Sequence, residues 1–136
     1  MATHLRVRVV TPERILVDTD AAAVEIPGKT GYLEVLYGHA PLLTEIGAGM
    51  VRLHGAESGE QSYLIARGFA EVLPERVTIL AEEAEKPKAI DTAAAQVQLR
   101  HGQELWDKAG DDPAKYTEAN ELMAEANAKL ESAGKS

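Results

Sequence analysis

The hydrophobic period of this chain changes once, at Lys86-Pro87-Lys88, and that change limits the fold to a β unit followed by a helical one. Before it, Leu5, Val7 and Val9 alternate with His4, Arg6 and Arg8, the pattern of a strand with one buried face. Further strands are expected at Ile15–Val17, Ala22–Ile26, Leu33–Leu36, Met50–His54, Ser62–Ala66, Glu71–Leu73 and Val77–Ala81. Pro27-Gly28, Gly31, Gly38, Pro41, Gly47, Gly49, Gly55, Gly59, Gly68 and Pro74 punctuate them. Short strands this closely spaced leave no room for crossover helices, so the expectation is a mainly antiparallel sandwich or barrel. Aromatic residues make up 4% of a chain that is 45% hydrophobic, so its core must be built from Val, Leu, Ile and Ala.

After the change, Ile90, Ala94, Val97, His101 and Leu105 fall at helical spacing, with Ala95, Leu99, Gly102 and Trp106 as a neighbouring stripe. Asp91 or Thr92 can cap this helix. Gly110-Asp111-Asp112-Pro113 ends it and starts a second, with Asp112 at the N-cap and Pro113 at the first helical position. The second helix carries Tyr116, Ala119, Met123, Ala126 and Leu130 on one face. So short a link makes the pair an antiparallel hairpin. Its Ala-rich faces close tightly but bury little, which predicts marginal docking on the β unit and a frayed tail at Ser132–Ser136. The expected domains are 1–86 and 87–136.

The residues exclude several chemistries. Net charge is −8 with no basic cluster, a poor basis for binding nucleic acid. The chain has no Cys, which removes disulfides, thiolate metal sites and cysteine nucleophiles. Met1-Ala2-Thr3-His4 leads straight into the first strand without a signal peptide's apolar core, and no apolar run approaches the roughly 20 residues of a membrane span. His4, His39, His54 and His101 stand alone, without metal-ligand spacing, and His4, His54 and His101 read as outward positions. Gly28-Lys29-Thr30 resembles the tail of a phosphate loop, but Ala23 occupies the position of the required first Gly and a strand follows, so it reads as a polar hairpin turn. Ser58, Ser62, Ser132 and Ser136 have no nucleophile elbow. Glu82, Glu83 and Glu85, beside Lys86 and Lys88, read as a solvated junction. Neither a metal nor a cofactor site is expected.

One stretch has no place in the strand pattern. Gly38-His39-Ala40-Pro41-Leu42-Leu43 reads as an irregular link, since Pro41 lacks a ladder donor and Gly38 permits unusual φ. Tyr37, Leu42 and Leu43 are then either core or an exposed contact patch, and the residues alone favour core.

Here the sequence resembles the epsilon subunit of the F-type ATP synthase, called delta in mitochondria. The resemblance rests on an ordered set of short motifs. They are Val9-Val10-Thr11-Pro12-Glu13, Val24-Glu25-Ile26-Pro27-Gly28 with Thr30-Gly31, Gly38-His39-Ala40-Pro41-Leu42-Leu43 and Gly49-Met50-Val51-Arg52. Gly68-Phe69-Ala70-Glu71-Val72, Val77-Thr78-Ile79-Leu80-Ala81-Glu82-Glu83-Ala84 and Ile90-Asp91 complete it. It implies an antiparallel β-sandwich of about ten strands followed by a two-helix hairpin. It also implies a non-catalytic subunit of the central stalk, joining gamma to the c ring and helping to couple ion flow to ATP synthesis. Such a protein would lie at the cytoplasmic side of a bacterial inner membrane, touching the membrane only through the complex.

The resemblance carries over to particular residues. Gly31, Tyr32 and Leu33 match the segment that faces the c ring, with Tyr32 where many members have Glu, and Glu34 and Tyr37 where many have Gly and Pro. Gly38, His39, Ala40, Pro41 and Leu42 become a rotor surface facing gamma, which shifts the expectation for this stretch from core to contact. In the family the hairpin can extend along gamma towards the alpha and beta subunits and inhibit ATP hydrolysis; here Arg100, Lys108, Lys115 and Lys129 are the candidate contacts. Some bacterial members bind ATP through Ile/Leu-Asp-x-x-Arg-Ala and an Arg on the second helix. This chain has Ile90, Asp91, Ala94 and Ala95 at those positions, and no Arg from Ala114 to Ser132. Without a guanidinium fork the expectation is weak or absent ATP binding. Residues 88–136 carry six basic against nine acidic side chains, so weak inhibition is expected. The other readings, a free-standing sandwich module with a helical adaptor or a small enzyme, explain the ordered motifs less well.

Overall fold

The computed structural model describes residues 4–57 and 59–133, so Ser58, Ser136 and the Met1-Ala2-Thr3 start lie outside the described residues, as does all of the tail beyond Ala133. Eight strands come first: β1 (Leu5–Val10), β2 (Ile15–Ala21), β3 (Ala23–Gly28), β4 (Gly31–Leu36), β5 (Leu42–Ile46), β6 (Gly49–His54), β7 (Gln61–Leu73) and β8 (Arg76–Glu85). A 3-10 turn at Pro87–Ala89 leads to α1 (Thr92–Asp107) and α2 (Pro113–Ser132). The strands run in the order β2-β1-β8-β7-β5-β3-β4, with β6 bridging β3 and β7, and make the expected sandwich. Pairing is antiparallel except between β1 and β8, which run parallel.

Eight strands among the described residues replace the expected ten or so; against the strands read from the spacing, one pair merges and one strand is gained. Ser62–Ala66 and Glu71–Leu73 are one strand, because β7 bends at Arg67-Gly68 without leaving its ladder to β8. The stretch read as an irregular link becomes strand at Leu42: Pro41 precedes β5 and removes no bond from it. Facing the bend, β5 pairs with β7 as far as Ile46↔Gly68 and β6 resumes at Gly49↔Ile65. Gly47-Ala48 therefore lies across from Arg67, and both edges turn the same corner.

Alternation fills the interior. Leu5, Val7 and Val9 are fully buried, and Ile26, Leu53, Ile65 and Ile79 meet them from the other strands. Each such side chain contributes on the order of 1.5–3 kcal/mol, an upper figure because the unfolded chain already hides part of it. Gly28-Lys29-Thr30 is the expected turn, joining β3 to β4 at the pair Gly28↔Gly31.

In the hairpin, Asp91 Oδ1 accepts from the Ala94 N–H at 3.0 Å and Asp112 Oδ1 from the Ala114 N–H at 3.0 Å. Gly110 takes φ 59°, which suits the end of α1. Of the two stripes on α1, the one with Ala95 and Gly102 faces α2, while Ala94, Val97 and His101 point to solvent. Gly102 is needed there: a Cβ would come 2.7 Å from Met123 Cγ and 3.3 Å from the Ala119 carbonyl oxygen. Trp106 meets Tyr116 edge-on, with ring centres 4.6 Å apart.

A Cβ on Gly68, whose φ is 154°, would overlap the Leu80 carbonyl oxygen across the β7–β8 ladder. Gly68→Ala should therefore cost about 2 kcal/mol or more of stability. Urea unfolding of the two proteins measures it, and an unchanged midpoint would mean the bend relaxes without cost.

Candidate interaction surfaces

The structure places the two loops singled out in the sequence at opposite ends of β4. Gly31, Tyr32 and Leu33 follow the β3–β4 turn, beside the β5–β6 corner: the Gly47 N–H donates to the Pro27 carbonyl at 2.9 Å. Tyr32 is 58% exposed, yet its hydroxyl accepts from the Met50 N–H at 3.0 Å. Gly38, His39, Ala40 and Pro41 lie about 20 Å away, the length of a six-residue strand. That loop is tied to the β7–β8 turn by the Gly38 N–H donating to the Pro74 carbonyl at 2.6 Å. Tyr37, Leu42 and Leu43 are exposed, so the favoured core reading of the residues alone gives way to surface, with Leu43 the most open at 69%.

Sequence reasoning missed a second surface. The ladders set Ile15 beside Val10, Val10 beside Leu80, and Leu80 beside Phe69, one row across β2, β1, β8 and β7. Its members point outward, since Val9, Ile79 and Ala70 fill the interior; Ile15, Leu80 and Phe69 are each about half exposed. Leu43 stands diagonally from Phe69, whose direct partner is Glu45. A shallow depression of about 380 Å³ lined by Val10, Pro12, Phe69 and Leu80 lies along the row. Parity could have found it: Ile79-Leu80 puts apolar side chains on both faces of one strand, which a half-solvated strand does not need.

Charge is organised at two places. His54 Nε2 lies 2.9 Å from Glu25 and its Nδ1 2.7 Å from Glu60, while Arg52 approaches Glu25 at 3.4 Å. Both imidazole nitrogens face carboxylates, which as anions only accept, so the pair of contacts favours the imidazolium form of His54. The Glu25 hydrogen bond, then that of Glu60, raises its pKa above 6.5; the His54 hydrogen bond holds Glu25 below 4.5. At the other place, Glu82 and Glu83 are not merely solvated, as expected, but bond Arg67 at 2.8 and 3.4 Å, and Glu83 also meets Lys129 at 3.7 Å. This junction carries the hairpin.

Of the hairpin's candidate contacts, Arg100, Lys108 and Lys115 are exposed, whereas Lys129 is engaged within the chain, reaching Gln98 Oε1 at 3.4 Å. At the degenerate nucleotide motif, Ile90 is partly buried, Asp91 caps α1, Ala94 is open to solvent and Ala95 is buried against α2. Among the described residues no three His, Asp or Glu side chains converge as metal ligands, and no helix is long and apolar enough to cross a membrane.

Fold and surfaces together define a β-sandwich with a docked helical hairpin and an exposed apolar row on its outer strands. Residues 4–87 match the family model described as the ATP synthase, Delta/Epsilon chain, beta-sandwich domain. The ATP synthase epsilon chain of Koribacter versatilis is 50% identical over 97 residues, spanning 71% of this chain and 67% of that one. That of Brucella anthropi is 38% identical over 109 residues, 80% of this chain and 81% of the relative. In fold, the chain resembles one in the Euglena gracilis mitochondrial ATP synthase (OSCP, F1 and c-ring), with TM-score 0.79 and 21% identity over 96% of this chain and 81% of that one. It also resembles one in the Tetrahymena thermophila mitochondrial ATP synthase central stalk and c-ring, with TM-score 0.67 and 13% identity over 93% and 94%. The chain belongs to the ATP synthase delta/epsilon chain family.

The His54 bridge gives a pH dependence of known sign. Its stabilisation is complete below the unfolded value of about 6.5 and is lost as pH rises through the higher folded value. Glu25 contributes in the opposite sense, above 4.5 and lost as pH falls through its lowered value. The melting temperature should thus decline as pH rises beyond about 6.5, and His54→Gln should flatten that slope. Melts of both proteins from acid to alkaline pH decide it; parallel slopes would remove the bridge from the account.

Proposed function

We propose that this chain is a non-catalytic subunit of the central stalk of an F-type ATP synthase, whose sandwich joins gamma to the c ring. Its role is mechanical: to hold the foot of the rotor so that ion flow turns it as one body. The observation that carries this is family membership together with the outward row Ile15–Val10–Leu80–Phe69. Burying side chains of that size stabilises a contact by about 1.5–3 kcal/mol each, which suits a permanent interface. On this reading gamma covers the row together with the loop Gly38, His39, Ala40, Pro41 and Leu42, while Gly31, Tyr32 and Leu33 meet the c ring. The protein sits peripherally, at the cytoplasmic face of a bacterial membrane, and contacts lipid only through its partners.

The hairpin is a weak regulator on this reading. Arg100, Lys108 and Lys115 are free to meet acidic segments of the alpha and beta subunits, but residues 88–136 carry more acidic than basic side chains, and the steering field is unfavourable. No ATP site is assigned to it, because nothing replaces the missing guanidinium groups. The sandwich and hairpin act as separate domains, 1–86 and 87–136.

Phe69→Lys with Leu80→Glu places two charges, opposite in sign because the positions are cross-strand partners, in the proposed gamma contact while touching only exposed positions. Co-purification with gamma should fall at least about ten-fold, with an unchanged melting temperature; full retention would move the gamma surface elsewhere. Deleting residues 89–136 should change ATP hydrolysis by the assembled enzyme less than about two-fold. A large rise would refute weak inhibition.

A further inference from the structure

Arg67 is the one non-glycine residue with positive φ, 54°, among those described. An L side chain in that region is strained, and strain of this kind persists where a function or a neighbour requires it. The strained residue bonds three carboxylates: Glu82 at 2.8 Å, Glu83 at 3.4 Å and, across the domain junction, Glu125 of α2 at 2.6 Å. Glu125 is 4% exposed, and burial raises its pKa against the pull of Arg67. The rest of the contact is slight: α2 meets chiefly β6 and β7, and Ala128 lines a small gap there with Ala48, Leu64 and Ala66. Beside it a cleft of about 350 Å³ stays open between α2 and the β5–β6 corner.

The junction is charge-asymmetric. Glu83 of β8 bears on both Glu85 and the buried Glu125 of α2, to which Glu121 adds a further negative charge. Arg67 and Lys129 are the cations paired with this group, with Arg14 and Lys29 lining the clefts on either side. Lys129 is the weaker cation, at 3.7 Å from Glu83. Without Arg67 the same surfaces become carboxylate against carboxylate, with one of them buried. We propose that Arg67 is the latch of the helical hairpin: its pair with Glu125 holds α2 on the sandwich, and loss or screening of its charge releases the hairpin. This deepens the regulatory reading above but rests on docking alone, not on inhibition.

The test uses the full chain, whose lack of Cys lets a label pair be placed at Glu34→Cys and Gln96→Cys, both exposed. Pulsed electron spin distances then count docked and released molecules, independently of gamma binding or ATPase. At about 50 mM salt the labelled parent should be docked, and Arg67→Gln should raise the released-to-docked ratio about ten-fold or more. Arg67→Gly, which relaxes the backbone and removes the charge, should release it too, with the sandwich melt retained. Adding Glu125→Gln to Arg67→Gln should restore docking, because no buried carboxylate is then left unpaired. An unchanged distance in Arg67→Gln and Arg67→Gly, a released parent, or failure of Glu125→Gln to rescue would each overturn the latch. Loss of gamma binding with an intact latch would instead strike at the proposed function.

Discussion

The bend at Arg67-Gly68 is the constraint on which the rest of the molecule depends. It lets the 13 residues of β7 serve two neighbours, β6 before the bend and β5 after it, while β8 follows the strand throughout. Two adjacent positions divide the work. Gly68 brings the backbone against Leu80 with no room for a side chain, and Arg67 accepts a left-handed conformation. Gly47-Ala48 across from it breaks the facing edge at the same level, so the corner belongs to both chain segments at once. The hairpin then rests on that corner. A feature of backbone geometry thus decides where a second folding unit can dock.

The outer face of the sheet shows an opposite economy. A sandwich in water gains nothing from a row of half-exposed Ile15, Leu80 and Phe69, and an apolar face of that kind invites aggregation. The next row across the same strands is Asp18, Arg8, Thr78 and Glu71, with Arg8 within 3.8 Å of Asp18, so polar residues are readily placed on this face. On β2, β1, β8 and β7 the exposed apolar residues keep to one row, and Leu43 of β5, the partner of Glu71, extends the patch diagonally, which reads as selection for a partner. The protein's single Phe stands in that row, not in the core.

What the sequence disclosed followed from periodicity and from turn chemistry. The strands from Leu5 to Val10 and from Gly49 to His54, both caps of the hairpin, and the face of α2 with Ala119, Met123 and Ala126 could all be read from spacing. Pro41 misled, because a proline just before a strand and one inside it leave the same local signature. The continuity of β7 was hidden for a similar reason: a glycine marks a turn and a bent strand equally well. Parity marks Leu80 as outward, but the row itself could not be read, because register belongs to pairs of strands and no single strand shows that Ile15, Val10, Leu80 and Phe69 align. The buried Glu125 could not be anticipated either, since its partner stands 58 residues away.

The two halves are held by forces that answer differently to their surroundings. The sandwich rests on buried Val, Leu and Ile, whose stabilisation is insensitive to ionic strength and grows with excluded salts. The hairpin's hold combines small apolar contacts with charges at a half-open junction, where salt reaches the Lys129–Glu83 pair more than the buried Glu125. Moderate salt therefore weakens the second hold while leaving the first intact. A body that must turn with a shaft needs the first kind of cohesion, because dispersion contacts in a packed core transmit torque without rearranging. An arm that changes position needs the second, because an ion pair can be exchanged for water or another ion with little change in the body beneath it. On the proposed reading, the placement of Ala in the hairpin faces and of branched aliphatics in the sandwich matches that division.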